Sequence, residues 1–260
     1  MANKGKYYES QFEKATIELL CEAHWQYAFG DDIHRKYTDP FIEEDLRNFL
    51  AAQYKDKNLT TSEMDSIVAN LRNTGGQNDY YALRNAFLLY RDGYDFAYSD
   101  GRYNPFRLEY IDFEHPDHNV FRCVNQFVME QGRENRRPDI LLFINGIPVC
   151  IIELKNPTKQ NATIRDAHTQ ICMRYMRDIP ALLKYCALAV ISDGAKNALG
   201  TTYTPFEFFY EWKKIENEDT AGKGLDTLRT LIRGALSPER ILEILRDYVY
   251  FPDPTKEDDT

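Results

Sequence analysis

Residues 137–155 read RPDILLFINGIPVCIIELK, and the fold turns on how this stretch is taken. LLFI and IPVCII are apolar runs of strand length, and Asn145-Gly146 stands between them. An Asn-Gly pair tolerates the positive φ angles of a two-residue hairpin turn, so the runs are predicted to be antiparallel neighbours. IPVCII is apolar at consecutive positions, which places it inside a sheet covered on both faces. A hairpin brings its open ends together. Asp139, starting one strand, and Glu153, near the end of the other, are therefore predicted to meet across the pair. Side chains alternate along a strand, so Glu153 and Lys155 share a face while Leu154 points into the core.

Outward from the hairpin, the first hundred residues read as helical. Over residues 8–27, Phe12, Ala15, Leu19, Leu20 and Ala23 recur at three- and four-residue spacing among Glu9, Glu13, Glu18 and Glu22. Asp39-Pro40 marks a boundary, and residues 41–54 repeat the pattern with Ile42, Leu46, Phe49 and Leu50. Thr60 with Glu63 fits a capping box opening a third helix, whose buried stripe is Met64, Ile67, Val68 and Leu71. Gly75-Gly76 breaks the pattern before a fourth helix over residues 79–93, which Gly93 can end.

After Gly101 the character changes. Residues 107–113 (RLEYIDF) and 119–130 (NVFRCVNQFVME) read as half-exposed strands, and residues 162–177 as a helix. Residues 185–194 (YCALAVISDG) form a second fully apolar strand, and 206–212 (FEFFYEW) a further one. Residues 226–235 and 238–249 are helix-like, and 252–260 look frayed. The expected class is α/β, a mixed central sheet flanked by helices, with a helical N-terminal region.

The chain has 32 Lys and Arg against 41 Asp and Glu, a formal net charge of −9. That excludes a protein coating nucleic acid over its whole surface but not local binding in a groove. The five cysteines (Cys21, Cys123, Cys150, Cys172, Cys186) show no CxxC spacing, so they read as small buried hydrophobes rather than a zinc site or disulfide framework. No apolar run reaches the ~18–20 residues of a membrane span, and MANKGKYYESQFEK lacks an apolar signal core. A cytoplasmic protein with no membrane partner is the expectation.

Two carboxylates at one strand edge repel unless a cation lies between them. Oxygen-only ligation suits Mg²⁺ or Mn²⁺, which polarise a phosphoryl oxygen and acidify a bound water. A lysine alongside can orient that water, so the set suits phosphodiester hydrolysis. The alternative is a solvated E-x-K salt bridge on a surface strand. Against it, the charges follow directly on the buried-type runs LLFI and VCII.

PDILLFINGIPVCIIELKNP closely resembles the nuclease motif of the restriction (R) subunit of type I restriction-modification enzymes, members of the PD-(D/E)xK endonuclease superfamily. The resemblance extends to MDSIVANLRN, YYALRNAFLLYRDGYDF and IDFEHPDHNVFRCVNQF before the motif, to residues 166–201 after it, and to PERILEILRDYVYF, which is similar to the family's join to its motor. It implies a PD-(D/E)xK core at about residues 101–213, within an endonuclease domain over 1–235 that includes the helical segment 36–100. Residues 236–260 would then be a C-terminal helix and the start of a linker towards an absent ATPase motor. It implies Asp139 and Glu153 as metal ligands for Mg²⁺ (or Mn²⁺) and Lys155 as the catalytic lysine. It adds Gln170 and Tyr175 on the following helix as catalytic candidates. Five residues turn an ideal helix through about 140°, so Gln170 and Tyr175 do not share a face, and Tyr175 can equally pack on the sheet. Glu13 matches an acidic position that some superfamily members aim at the metal, or is one of four solvated glutamates.

The implied partners are double-stranded DNA and the methyltransferase and specificity subunits of a restriction complex. No G-x-x-x-x-G-K-[ST] occurs, and the glycine-rich stretch 194–202 lacks the Gly-Lys pair. ATP therefore belongs to a full-length parent enzyme and is not bound by this chain. Arg133, Arg136 and Arg137 either meet phosphates or lie in a solvated loop, and His168 is left outside the site. Two other readings stay open: a subunit-docking module built on residues 36–100, and a nuclease of the same fold acting on branched or damaged DNA.

Overall fold

The computed structural model describes residues 2–155, 163–215, 222 and 224–253, with side chains from residue 10 onward. Helix α1 (Ala2–Glu22) is followed by strand β1 (Gln26–Phe29), then α2 (Glu43–Gln53), α3 (Thr61–Asn73) and α4 (Asp79–Asp92). Strands β2 (Tyr94–Phe96) and β3 (Phe106–Leu108) form a small ribbon. Next come β4 (Phe121–Asn125), the short hairpin of β5 (Met129–Gln131) and β6 (Glu134–Arg136), and the central hairpin of β7 (Ile140–Ile144) and β8 (Ile147–Leu154). Helix α5 (Ile164–Thr169) runs into a π-helical stretch (Gln170–Tyr175), then α6 (Met176–Asp178) and α7 (Pro180–Leu183). Strands β9 (Leu188–Ser192) and β10 (Asn197–Thr201) follow, then α8 (Leu225–Ala235) and α9 (Pro238–Glu243), which a second π-helical turn (Ile244–Tyr248) extends.

The main sheet has the order β1-β4-β7-β8-β9-β10. β1 and β4 are parallel, as are β8 and β9, and the other neighbours are antiparallel. β8 lies centrally with all eight residues buried, as its unbroken apolar run demands. One face of the sheet, through Ile140, Leu142, Ile144, Ile152 and Leu154, packs on α1 to α4, α8 and α9. The other, through Leu141, Phe143, Ile151, Ala189 and Ile191, packs on the segment from α5 to α7. The helices of residues 36–100 bury Leu46, Phe49, Leu50, Ile67, Leu71, Phe87 and Tyr90 in the same cluster as the sheet. Removing that segment would expose the core, so deletion cannot isolate a docking role for it.

The hairpin pairs Asp139 with Glu153 by a route that its turn alone does not provide. Around Asn145-Gly146, Ile144 pairs with Ile147 and Phe143 with Pro148. Continued regularly, that register would set Asp139 against Ile152 and leave Glu153 on the opposite face. Instead Leu142 pairs with Cys150, so Val149 is one extra residue in β8. The pairing then runs Leu141 with Ile151 and Ile140 with Ile152. Val149 and Cys150, though consecutive, pack in one cluster, as a β-bulge requires. Pro148 contributes the cause, since it has no N–H for the ladder beside the bulge.

Several expectations are corrected. The first helix ends at Glu22, because His24 takes φ +70° and residues 26–29 pair with β4 as a strand. Of residues 107–113 only Arg107 and Leu108 are strand, as the end of β3, which belongs to the side ribbon. The expected strand over 119–130 breaks at Gln126, whose φ is +56°. Residues 206–212 carry a 3-10 turn (Phe206–Phe208) and a single bridge from Tyr210 to Leu199, while β10 lies just upstream. Cys21 is exposed, unlike the buried Cys123, Cys150 and Cys186. The expected helix start at residue 162 and the frayed end over 254–260 lie outside the described residues. The capping box forms as read: Thr60 Oγ1 accepts the Glu63 N–H at 3.2 Å and Glu63 accepts the Thr60 N–H at 2.9 Å.

The hairpin tip is fixed to the helical layer. The Ile42 N–H donates to the Gly146 carbonyl at 3.0 Å, and Gly146 holds φ +75°. A Cβ there would sit 2.1 Å from the Ile42 carbonyl oxygen. Gly146→Ala is expected to lower stability by at least about 2 kcal/mol. Urea unfolding of the two chains checks this, and an unchanged midpoint would contradict it.

Candidate active site

The candidate site forms where β7 begins and β8 ends. One register step beyond the Ile140–Ile152 pair sets Asp139 opposite Glu153. Asp139 Oδ2 accepts the Leu154 N–H at 2.7 Å, which locks the carboxylate onto the neighbouring strand. The Lys155 N–H donates to the Ser192 carbonyl at 2.7 Å, so the residue after β8 is tied to the end of β9. Glu153 is only 2% exposed.

A closed ring of side chains surrounds Glu153. Lys155 Nζ donates to Glu153 Oε1 at 2.8 Å and to Gln170 Oε1 at 2.7 Å. Gln170 Nε2 donates to the Tyr175 hydroxyl at 2.6 Å, and that hydroxyl donates to Glu153 Oε2 at 3.3 Å. The structure thus brings Asp139, Glu153, Lys155, Gln170 and Tyr175 together. The expected divergence of Gln170 from Tyr175 is corrected by the π-helical stretch, which begins at one and ends at the other. Bonding from i to i+5 stacks residues five apart on one face, and such segments recur at functional sites. A second capping box fixes the helix entry: Asp166 Oδ2 accepts the Thr163 N–H at 2.7 Å, and Thr163 Oγ1 accepts the Asp166 N–H at 3.4 Å.

Burial, and then the adjacent Glu153 charge, push the Asp139 carboxyl well above its ordinary range, although the Leu154 N–H and Lys155 work the other way. Burial, followed by the same Glu153 charge, raises the Tyr175 phenol, so it stays protonated as a donor. Asp139 Oδ1 accepts no hydrogen bond among the described residues. Two crowded carboxylates with a free oxygen fit an oxygen-liganded dication, which would relieve their repulsion.

Glu13 lies at the same sheet end, contrary to the solvated alternative. It is half-buried, and its Oε1 accepts from Asn125 Nδ2 at 2.6 Å and Gln126 Nε2 at 3.1 Å. Asn125 pairs with Ile140 beside Asp139, and the Glu13 charge adds to the rise at Asp139. The available signal was the Asn125-Gln126 carboxamide pair closing an apolar strand. Arg136 is committed to Asp178 and Glu134, while Arg133 and Arg137 are exposed. Hydrogen bonds from Arg177, then Arg136, hold Asp178 below its ordinary range. His168 bonds the Thr204 carbonyl at 2.9 Å and packs edge-on against Phe206 and Phe209, a structural role.

Comparison with known proteins gives a consistent answer. Residues 6–208 match the family described as Type I restriction enzyme R protein N terminus. The type I restriction enzyme HindI endonuclease subunit of Haemophilus influenzae is 28% identical over 254 residues, which is 94% of this chain and 24% of that protein. The type I restriction enzyme EcoprrI endonuclease subunit of Escherichia coli is 32% identical over 133 residues, 48% of this chain and 40% of that one. The Staphylococcus saprophyticus SsaAORF53P endonuclease subunit is 26% identical over 216 residues, 79% of this chain and 21% of that one. The chain spans about a quarter of the length of the Haemophilus relative.

Because the folded-state pKa of Asp139 is raised, its ionisation opposes folding. That penalty is absent below its unfolded value near ~3.9 and grows as pH rises through the folded value. In buffer without divalent metal, Asp139→Asn is expected to raise Tm at pH 7.5, with the gain vanishing towards pH 4. Melting curves at both pH values decide it, and a Tm lowered at pH 7.5 would contradict it.

Proposed function

Since the chain belongs to the family of type I restriction enzyme R protein N termini, we propose that it is a Mg²⁺-dependent endonuclease domain that hydrolyses phosphodiester bonds of double-stranded DNA. The observation that carries this is the set of five side chains at the open end of the hairpin: Asp139 against Glu153, with Lys155, Gln170 and Tyr175 ringed around Glu153. Asp139 and Glu153 would hold the cation. Bound there, Mg²⁺ or Mn²⁺ supplies Lewis acidity towards phosphoryl oxygen and a lowered pKa for water.

The chain's own residues do the positioning. An ammonium has three donors, and Lys155 commits two of them to Glu153 and Gln170. The third would serve the substrate, where a cation offsets charge building on the phosphorane oxygens. Gln170 fixes the ammonium by accepting from it, while Tyr175 orients Gln170 and satisfies the far oxygen of Glu153. Tyr175 is thus a positioning residue rather than a proton donor to substrate. Arg137, exposed just before β7, and Arg133, exposed in the turn of the β5–β6 hairpin, are suited to backbone phosphates.

Site choice then falls to a specificity subunit, with a methyltransferase subunit as the other partner. With a net charge of −9, the domain alone holds DNA weakly and relies on the assembly. ATP is consumed elsewhere in the longer enzyme, and the working compartment is the cytoplasm. Among the described residues no helix is long and apolar enough to cross a membrane.

Within the assembled enzyme, Lys155→Ala or Asp139→Ala is expected to reduce duplex cleavage by about 10²–10³ or more. Circular dichroism should show the fold intact, and chelating divalent metal should stop cleavage by the parent. Cutting by either variant at the parent rate would overturn the site assignment.

A further inference from the structure

A second convergence of ligating side chains lies at the far end of the central hairpin, by its turn. β8 alone, at about 3.3 Å per residue, separates the two ends by roughly 20 Å. The segment reads Asp112-Phe113-Glu114-His115-Pro116-Asp117-His118-Asn119. Asp112 is 4% exposed, and its Oδ1 is clamped by the N–H groups of Glu114 at 3.0 Å and His115 at 2.9 Å. That aims Oδ2 at two imidazoles, His118 Nδ1 at 2.9 Å and His115 Nδ1 at 3.3 Å. Gln53 Nε2 also donates to Oδ2, at 3.3 Å. Pro116–His118 is a 3-10 turn, in which residues three apart eclipse. The two rings accordingly stack with centroids 4.8 Å apart and planes 23° apart.

The three ligand atoms lie within 4.8 Å of one another. Donors at about 2.0–2.2 Å from Zn²⁺ stand about 3.0–3.5 Å from each other across a tetrahedral or octahedral edge. Both N···O separations are close to that already. Burial works to raise the Asp112 carboxyl, but the bonds from His115, His118 and Glu114 outweigh it and hold it below its ordinary range. It is therefore a carboxylate at neutral pH. The histidine side chains are 62% and 50% exposed, so water can complete a coordination shell. Two imidazoles with one carboxylate select a borderline d-block dication over Mg²⁺.

We propose that Asp112, His115 and His118 form a second metal site, for Zn²⁺ or a similar transition-metal dication, separate from the carboxylate centre at Asp139 and Glu153. The metal takes the Nδ1 lone pairs, each ring then carrying its proton on Nε2, and any imidazolium present releases one proton on binding. The site is structural, because the loop it closes joins three parts of the fold. Asn119 accepts from Asp112 N–H at 3.0 Å and from the hairpin-turn Asn145 at 2.8 Å. Gln53 belongs to α2, and Glu114 pairs with Arg246 of the C-terminal segment at 3.3 Å. A metal bound only by the folded state stabilises it by mass action, about a hundredfold in the folding equilibrium at a hundred times the dissociation constant.

The test is Zn²⁺ titrated calorimetrically into the chain carrying Asp139→Asn and Glu153→Gln, with Co²⁺ absorption of the otherwise unaltered chain as an independent probe. One equivalent should bind at pH 7.5. Adding His115→Ala and His118→Ala should abolish this binding and the Zn²⁺-induced rise in Tm. The Co²⁺ spectrum should lose its tetrahedral or five-coordinate bands with the same two substitutions. No binding to the parent, or binding unaltered by the histidine substitutions, would overturn the site. Neither result depends on whether the chain cuts DNA.

Discussion

One extra residue in the central strand governs how the site is assembled. In an antiparallel pair each side chain shares a face with its partner, and a one-residue slip moves a whole strand's side chains to the other face. The Asn145-Gly146 turn sets one register and Val149 shifts it by one. Before the shift the strand end would present Glu153 to the helical layer of α1 to α4. After it, Glu153 faces the segment running from α5 to α7, where Gln170 and Tyr175 wait. The bulge is buried among fully packed neighbours, so the alternative register would have to drive Glu153 and Lys155 into an apolar core. The cost of burying unpaired charge is far larger than that of a local ladder defect.

The same logic explains the ring of side chains. Glu153 is a carboxylate at 2% exposure beside a second carboxylate, a position that the fold tolerates only with compensation. Lys155 and the Tyr175 hydroxyl supply it, and Gln170 joins them. Keeping Gln170 and Tyr175 on one face requires a π-helical stretch, whose backbone bonding is poorer than that of an α-helix. Local stability has been given up at two consecutive places, strand and helix, and both deviations converge on the same carboxylate. Coincident irregularities of that kind are the mark of a site held by the surrounding structure.

The two halves of the fold divide the labour. The helical layer supplies bulk, burying the face of the sheet that carries no site residues of the hairpin, and Gly146 docks the hairpin turn against the start of α2. The thinner layer from α5 to α7 contributes the side chains that reach Glu153. From the thick layer comes one further group, Glu13, which α1 carries to the sheet end beside Asn125 and Gln126. The acidity of the chain thus has a local meaning, since three of its carboxylates cluster around one strand end.

Local sequence was enough to determine the hairpin, the burial of IPVCII, the capping box at Thr60 and most of the helices, and to single out Asp139, Glu153 and Lys155 as candidates. Each rests on a short-range rule: turn chemistry, periodicity, or a charge set against an apolar run. Short strands such as Gln26–Phe29 and Asn197–Thr201 were not legible, because four or five residues carry too little pattern to compete with the neighbouring helix or turn signals. The register of Asp139 against Glu153, the alignment of Gln170 with Tyr175 and the arrival of Glu13 were decided only by tertiary structure. A bulge depends on the opposing strand, and a π-helical stretch on what its two ends must touch. Glu13 meets Asn125 across 112 residues of sequence, a separation at which no local periodicity carries information.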